Sequence, residues 1–239
     1  GDLAAARQAI AAIELDVLFY PDIGMDPVTY FLAFARLAPV QCVTWGHPVT
    51  TGIPAVDYFL SCDAAEPEGA ESHYSEQLVR LGGLPFSYRR PAMPDPPGCR
   101  ADYGLDDAST VYFLAQALFK VHPDMDARLV RILKEDEKAV LLLLEGQDPS
   151  WGETLRDRFR QSFGEAMARV VFLPRQSHDD YMRLLALSDV CLDSFPFSGG
   201  TTTYQALAMG TPVVTLPGAY LRGRLSLAIY RHMDVMDCV

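Results

Sequence analysis

Short apolar runs alternate with segments of helical periodicity along most of the chain. In its first part the apolar runs predict strands, and a proline behind a capping aspartate, Asp26-Pro27, predicts the start of a helix. The predicted strands are Leu15–Tyr20, Val40–Trp45 and Tyr58–Cys62, and the predicted helices are an amphipathic Gly1–Glu14, Pro27–Leu37 and a weaker Glu66–Gln77. This alternation is typical of parallel sheets built from β-α-β units.

The second part repeats the pattern more completely. Its apolar runs show no polar alternation, which is expected where helices cover both faces of a parallel sheet. The predicted strands are Thr110–Ala115, Ala139–Glu145, Val170–Leu173, Val190–Asp193 and Pro212–Leu216, and the predicted helices are Asp124–Lys134, Pro149–Ala168, Asp179–Ser188 and Thr201–Met209. We therefore expect a nearly complete doubly wound domain here, after a first domain with too few strands to be complete.

A proline-rich stretch separates the two parts. Five prolines lie between Pro85 and Cys99, where neither a helix nor a central strand can form. The predicted organisation is a partial N-terminal domain over residues 1–92, a linker over 93–109 and a C-terminal domain over 110–239. The open edge of the first sheet predicts either additional sequence upstream, which we favour, or another chain that covers the edge.

Charge and cysteine content exclude some classes of function. The net charge is −11, from 31 acidic and 20 basic residues, and no Lys/Arg cluster is present, which argues against a nucleic-acid partner. The five cysteines show no metal-binding spacing and sit mostly in apolar runs, which favours a reducing compartment such as the cytoplasm. The longest apolar runs, such as Ala139–Leu144, are too short to cross a bilayer.

The strongest local motif, Asp193–Thr203, joins a predicted strand to a predicted helix. Gly199 and Gly200 allow close approach of the backbone to a ligand, and the threonines of Thr201–Thr203 open the helix. Its free amides carry partial positive charge, so the motif suits a diphosphate. A plain helix cap and turn explains the same residues.

Three further segments follow predicted strands. Lys120 could neutralise a departing diphosphate, or be a solvated surface lysine. Arg175, His178 and Tyr181 could contact a base or ribose, although Ser177 with Asp180 also fits a helix start. His47, in the loop Trp45–Gly52, could act on an acceptor or be a simple loop histidine. The sequence contains no motif for metal-dependent or acyl-transfer chemistry.

Taken together, these segments resemble the catalytic region of the O-linked N-acetylglucosamine transferase family, in its bacterial SPINDLY-like branch. The resemblance runs in order over nearly the whole chain, which makes it more specific than any single motif. It is carried by Tyr20–Asp26, Leu37–Pro48, His73–Leu78, Gln116–Pro123, Asp189–Asp193 and Gly199–Gly218.

The resemblance implies an α/β fold of the GT-B type, with two Rossmann-like doubly wound domains and the nucleotide on the C-terminal one. It implies inverting transfer from a UDP-sugar to Ser or Thr of a protein acceptor, without metal or other cofactor. It also implies an upstream tetratricopeptide-repeat region. The catalytic residues would be Lys120 and His47, and the nucleotide-sugar site would comprise Gln116, Lys120, Gln176, His178, Tyr181, Gly199, Gly200, Thr201, Thr202, Thr203, Gln205 and Arg224.

Within this set, the resemblance gives several residues a specific contact. Lys120 matches the lysine at the diphosphate, Thr201 and Thr202 match the threonines at the phosphates, and the backbone of Gln176 matches the group that bonds uracil. Gln205 stands where the family has a ribose-binding carboxylate. His178 and Tyr181 replace a lysine and a histidine of the animal members, which leaves uracil or guanine open.

Three readings follow. The first is transfer of N-acetylglucosamine from UDP-N-acetylglucosamine to protein Ser/Thr. The second keeps the fold but changes the chemistry, with UDP-glucose or GDP-fucose as donor. The third is a nucleotide-sugar-binding module without turnover, suggested by Gln205 and by a family histidine that would lie upstream of Gly1.

Overall fold

A computed structural model describes residues 2–84 and 86–239 of the chain. It divides into two compact units: the first comprises the chain up to Ser87 together with Ala219–Asp234, and the second comprises Tyr88–Gly218 with Val235–Val239. The predicted linker, 93–109, thus falls within the second unit, and the predicted C-terminal domain gives up residues 219–234 to the first. Gly1 of the first predicted helix and Pro85 of the proline-rich stretch lie outside the described residues.

The elements follow the predicted alternation. The α-helices are α1 (Leu3–Ala11), α2 (Pro27–Leu32), α3 (Asp126–Glu135), α4 (Pro149–Phe163), α5 (His178–Leu187), α6 (Thr201–Ala208) and α7 (Leu225–Met233). The strands are β1 (Val17–Tyr20), β2 (Val40–Thr44), β3 (Tyr58–Cys62), β4 (Gln77–Leu81), β5 (Thr110–Phe113), β6 (Ala139–Leu144), β7 (Val170–Leu173), β8 (Val190–Leu192) and β9 (Val213–Val214).

The first unit contains a parallel four-stranded sheet in the order β1-β2-β3-β4. The predicted helix Glu66–Gln77 is wrong: a short 3-10 turn, Ala70–His73, is followed by β4, which pairs with β3 along its whole length. Glu66 is drawn inwards instead, because its carboxylate accepts hydrogen bonds from Ser61 and Tyr74. Long-range pairing and this buried carboxylate override the weak helical pattern.

The unpredicted helix α7 belongs to the core of the first unit. Leu225 and Ala228 of α7, with Leu221 just before it, pack among Val43, Phe59 and their buried neighbours. Arg224 and Arg231 fix the helix to the loop after β3, by donating to the carbonyls of Ala65 and Ala64 at 2.6 and 3.0 Å. The chain therefore returns to its first unit after completing most of its second.

The second unit contains a parallel five-stranded sheet in the order β7-β6-β5-β8-β9. From β5 the sheet grows first to one side, through β6 and β7, and then to the other, through β8 and β9. Such a doubly wound sheet has a crevice between the carboxyl ends of the two strands at which the direction reverses, here β5 and β8. Gln116 follows β5 and Asp193 follows β8, so the predicted motifs flank this crevice.

Apolar packing makes the crevice a fixed feature. On one side Leu129, Leu133 and Phe159 of α3 and α4 are buried against Leu141 and Leu143 of β6. Such close-packed cores hold strand ends in place.

Among the described residues, no helix has both the length and the apolar character that crossing a membrane would require.

Candidate functional site

The crevice between β5 and β8 is closed by a direct side-chain contact. Gln116, after β5, donates from Nε2 to Oγ1 of Thr202, in the first turn of α6, at 2.7 Å. Gly199 lies against this pair: a Cβ there would be 2.6 Å from Gln116 Nε2 and 2.7 Å from Thr203 Oγ1. Any larger residue would push these side-chain ends aside, so glycine is what lets them lie this close to the backbone. The predicted approach of a ligand to Gly199 stays a prediction.

Asp193 shapes the loop that leads from β8 to α6. Its buried carboxylate accepts the amide of Gly199 at 2.6 Å and the hydroxyl of Thr215 at 2.7 Å. One side chain thereby ties the loop to the neighbouring edge strand β9, which ends just before Thr215. In the sequence Asp193 marks a strand end and opens the Asp193–Thr203 motif, but its role in holding the loop is visible only in the structure.

The amino end of α6 faces this loop with its backbone amides. Gly200 stands at the N-cap and has no side chain to occupy the helix end. Thr201 is exposed, Thr202 is half-buried and Thr203 is buried. An uncapped helix start with accessible hydroxyls is suited to an anionic group, for which amide donors and the helix dipole provide the attraction.

Lys120 supplies a positive charge beside the same loop. It ends a short 3-10 turn, Leu118–Lys120, and its Nζ lies 4.4 Å from the ring centre of Phe197 in the β8–α6 loop. Burial lowers the pKa of Lys120 from its ordinary value, and the nearby carboxylate of Asp193 partly offsets this effect. The lysine is therefore a half-buried cation held by a ring face and a distant carboxylate.

The segment between β7 and α5 carries the predicted base-contacting residues. Gln176 donates from Nε2 to the carbonyl of Pro174 at 2.7 Å, and Ser177 caps α5 by accepting the amide of Asp180 at 3.1 Å. The capping interpretation of Ser177 and Asp180 is thus confirmed. His178, the first residue of α5, is exposed.

Tyr181 and Gln205 are the two predicted site residues that point into the unit's interior. The ring of Tyr181 meets Phe113 of β5 edge-on at 6.1 Å, and its hydroxyl is buried with no hydrogen-bond partner among the described residues. This burial raises the pKa of the Tyr181 phenol well above its ordinary value. Gln205, on α6, is also buried.

Two predicted residues belong to the first unit. His47 follows β2, and its ring lies on the backbone of Gly24: a Cβ there would be 2.6 Å from His47 Cδ2. Arg224 donates from Nε to the carbonyl of Ala65 at 2.6 Å, and burial lowers its pKa. The structure thus brings Gln116, Lys120 and the Gly199–Thr203 segment together, while His47 and Arg224 lie in a separate compact unit.

The described residues offer no group of three or more His, Cys, Asp or Glu side chains arranged to hold a metal ion. The polar groups at the β5–β8 crevice are instead amides, hydroxyls, one lysine and the Asp193 carboxylate, whose two oxygens accept hydrogen bonds from Gly199 and Thr215. The amide, hydroxyl and lysine donors suit an anionic ligand.

Residues 97–239 match glycosyl transferase family 41. The chain belongs to this family. Over 209 residues it is 34% identical to a probable UDP-N-acetylglucosamine–peptide N-acetylglucosaminyltransferase, SPINDLY, of Solanum lycopersicum, covering 85% of this chain and 22% of the relative. The family 41 chain therefore spans about a fifth of the length of such curated relatives.

A solved structure extends the similarity to the whole chain. The O-GlcNAc transferase of Thermobaculum terrenum, solved as a mutant, is 30% identical with a TM-score of 0.84, covering 100% of this chain and 45% of that one. An Anabaena protein crystallised with UDP and glucose shares the fold alone, at 14% identity and a TM-score of 0.56, over 98% of this chain and 72% of its own. The fold is that of GT-B glycosyltransferases.

Proposed function

We propose that the protein transfers N-acetylglucosamine from UDP-N-acetylglucosamine to Ser or Thr hydroxyls of proteins, and that the β5–β8 crevice holds the UDP. One observation carries the proposal: Lys120, Gln116 and the open amino end of α6 converge where a doubly wound sheet reverses direction. The donor is supported by the names of the similar SPINDLY proteins and of the Thermobaculum enzyme.

In the proposed reaction the acceptor hydroxyl oxygen attacks the anomeric carbon of the donor. The bond from that carbon to the UDP oxygen breaks, and UDP leaves with the electron pair. Negative charge grows on the diphosphate during this step, so Lys120 and the amides of Gly199–Thr203 stabilise the transition state more than the ground state. The hydroxyl proton passes to a base, a role for which His47 stays a prediction. Attack opposite the leaving group inverts the anomeric centre.

The other residues take binding roles. The backbone of Gln176 and the exposed His178 would contact the base. Tyr181 and Gln205 are turned into the unit, and their base and ribose contacts rest on the resemblance alone; Gln205 would bond a ribose hydroxyl without the charge of a carboxylate. Thr201 and Thr202 would contact the phosphates, and Arg224 stays a prediction for the donor. No metal or further cofactor takes part in this proposal. An acceptor-presenting tetratricopeptide-repeat region belongs to the proposal, since the curated relatives are much longer than this chain. A cytoplasmic location belongs to it as well, since the five cysteines are free and three of them are buried.

A second function keeps the site and changes the donor. By the resemblance, Gln205, His178 and Tyr181 are the residues at which this chain departs from the family pattern, and they would lie at the ribose and base positions. They favour testing UDP-glucose and GDP-fucose alongside UDP-N-acetylglucosamine. The same departures also suit a module that binds nucleotide sugars without turnover.

Calorimetric titration with UDP, UDP-N-acetylglucosamine, UDP-glucose, GDP and GDP-fucose tests these alternatives. We expect uridine nucleotides to bind, and Lys120→Ala to weaken them by about 10- to 100-fold, the value of a contact to a charged group. Lys134→Ala, at an exposed position of α3, is the matched control and should leave binding unchanged. Tighter binding of guanosine nucleotides would move the assignment to a fucose donor, and no binding to any nucleotide would contradict the site.

A further inference from the structure

The loop that carries His47 is tied to a buried carboxylate far away in sequence. This His47 loop, Trp45–Gly52, joins β2 to the segment that enters β3. Glu76, immediately before β4, is only 6% exposed. Its Oε2 accepts the hydroxyls of Thr50 at 2.7 Å and of Ser75 at 3.2 Å. Its Oε1 accepts the amide of Thr51 at 2.8 Å and, at closer range, the Thr51 hydroxyl.

The partners of Glu76 are all neutral. No Lys, Arg or His among the described residues forms an ion pair with it. A buried carboxylate without a cation is costly unless hydrogen bonds replace its hydration. Here four donors do so, and three of them come from two consecutive residues of the His47 loop. Most of the hydrogen bonds to this carboxylate therefore come from the His47 loop, which it holds in place.

The rest of the loop leaves little freedom once its far end is held. A Cβ on Gly46 would overlap the carbonyl oxygen of Pro21, so the loop backbone lies directly on the segment after β1. The amide of Val49 donates to the carbonyl of His47 at 2.8 Å, which closes a tight turn centred on Pro48 directly after the histidine. His47 thus sits between one end fixed by close backbone contact and another end fixed by Glu76.

We infer that Glu76 is a positioning residue, which holds the His47 loop in the conformation that fixes the imidazole. The order of the loop is independent of the proposed function, whereas any effect on transfer rests on it. The hydroxyls of Thr50 and Thr51 are the contacts through which Glu76 acts.

Amide hydrogen exchange on the 239-residue chain tests this inference with Glu76→Gln. The informative amide is that of Val49, because it is hydrogen-bonded within the loop and does not contact Glu76. We expect it to exchange about 10-fold faster or more, as for a lost hydrogen bond to a charged group. Glu68→Gln, an exposed residue, is the matched control and should change nothing. Faster exchange confined to Thr50 and Thr51, or spread uniformly over the unit, would overturn the inference.

A milder pair of variants keeps the test decisive if Glu76→Gln folds poorly. Thr51→Val removes the hydroxyl that donates to Glu76, and Thr51→Ser retains it. We expect faster exchange at Val49 only in the valine variant. Equal exchange in the two variants would contradict the role of this contact.

A spectroscopic readout separates positioning from general stability. The His47 ring resonance, identified by its loss in His47→Gln, should shift or broaden in Glu76→Gln, while those of His122 and His178 stay in place. An unchanged His47 resonance would overturn the inference. Because neither measurement needs a nucleotide, failure here is distinguishable from failure of UDP to bind.

Discussion

At the scale of single residues, Lys120 is a half-buried cation whose charged form is disfavoured in the free protein. Burial lowers its pKa, and the Asp193 carboxylate compensates only in part. A diphosphate beside Nζ would favour the charged form and raise the pKa again. Binding of an anion thus offsets the free energy lost by burying the charged lysine, and a neutral ligand does not. The site therefore favours anions.

This linkage predicts a specific pH dependence of UDP binding. The charged form binds better, so affinity should be constant where Lys120 is fully protonated and fall as pH rises through its lowered pKa. The decline should therefore begin below the ordinary lysine value of about 10.4. Calorimetry between neutral and alkaline pH measures it, and proton uptake should accompany binding on the falling limb.

Lys120→Arg is the control for that measurement. Arginine keeps its charge throughout the range, so its UDP affinity should stay flat. If the variant and the parent protein decline together, the titrating group lies elsewhere and Lys120 does not contact the diphosphate.

Gly199 is the second residue whose substitution has a defined outcome. A methyl group there would press on the Gln116 amide and the Thr203 hydroxyl, and would displace Gln116 from Thr202. We expect Gly199→Ala to cost about 1–3 kcal/mol of stability and to reduce UDP binding. Denaturant unfolding and calorimetry measure the two effects.

Gly83→Ala is the matched control, because a Cβ at Gly83 would meet nothing within 4 Å. It should change neither stability nor binding appreciably. Unaltered UDP affinity in Gly199→Ala would mean that the backbone at Gly199 does not approach the ligand.

At the scale of elements, sequence periodicity predicted strands best where no contact with distant residues competes with the local pattern. Val170–Leu173 and Tyr58–Cys62 have the predicted bounds, since each is a short apolar run beside turn residues. The pattern failed between Glu66 and Leu81, where Ser61 and Tyr74 hold Glu66 and pairing with β3 creates β4. Such contacts between distant residues leave little trace in local periodicity.

The candidate site shows the same limit. The Gly-Gly-Thr motif and Lys120 could be recognised because glycine, threonine and a lone lysine after a strand have specific chemistry. Asp193 and Glu76 could not be assigned in the same way, since an acidic residue at a strand end is ordinary. Their roles come from hydrogen bonds to Thr215 and Thr51, which only the tertiary structure brings within reach.

The Glu76 contacts give the His47 loop a pH dependence of its own. Burial tends to raise the pKa of Glu76, but the hydrogen bonds from Thr51 and Thr50 outweigh it and leave the pKa below its ordinary value. A lowered carboxylate pKa contributes stability that is complete above the unfolded value, about 4.3, and lost as pH falls through the folded one. The loop should therefore loosen only in acid.

Fluorescence of Trp45, which lies in this loop and packs on Phe86 at 4.2 Å, reports the change. In a Trp151→Phe background, Trp45 is the chain's remaining tryptophan. We expect an emission change with a midpoint below about 4.3. Glu76→Gln should abolish this transition. The groups around Glu76 are the hydroxyls of Thr50, Thr51 and Ser75, and nearby Tyr74. Glu76 helps to raise the pKa of the Tyr74 phenol, which therefore stays neutral over this pH range. A transition that persists in Glu76→Gln would assign it to another carboxylate.

At the scale of the whole molecule, the two units divide the proposed labour. The second unit holds the groups suited to a diphosphate, and the first holds His47 in an ordered loop. The family model matches residues 97–239, and the solved Thermobaculum relative covers both units. The chain spans about a fifth of its curated relatives, so transfer is best measured on the proposed longer protein, which would include the tetratricopeptide-repeat region.

In that longer protein, the stereochemistry of the product tests the proposed mechanism. Attack on the anomeric carbon from the side opposite UDP turns an α-linked donor into a β-linked product, whereas a covalent sugar–enzyme intermediate would require two displacements and retain the α configuration. The crevice offers a cation and amides for the leaving group, which is what a single displacement needs. Proton NMR of a glycosylated peptide distinguishes the anomers by their coupling constants, and an α-linked product would contradict direct attack.

Lys120→Ala should slow formation of the same β-linked product by about 10²–10³-fold, the range for losing one charge-stabilising group. Lys134→Ala should leave the rate unchanged. A β-linked product formed at an undiminished rate by Lys120→Ala would retain the inverting mechanism but remove Lys120 from it.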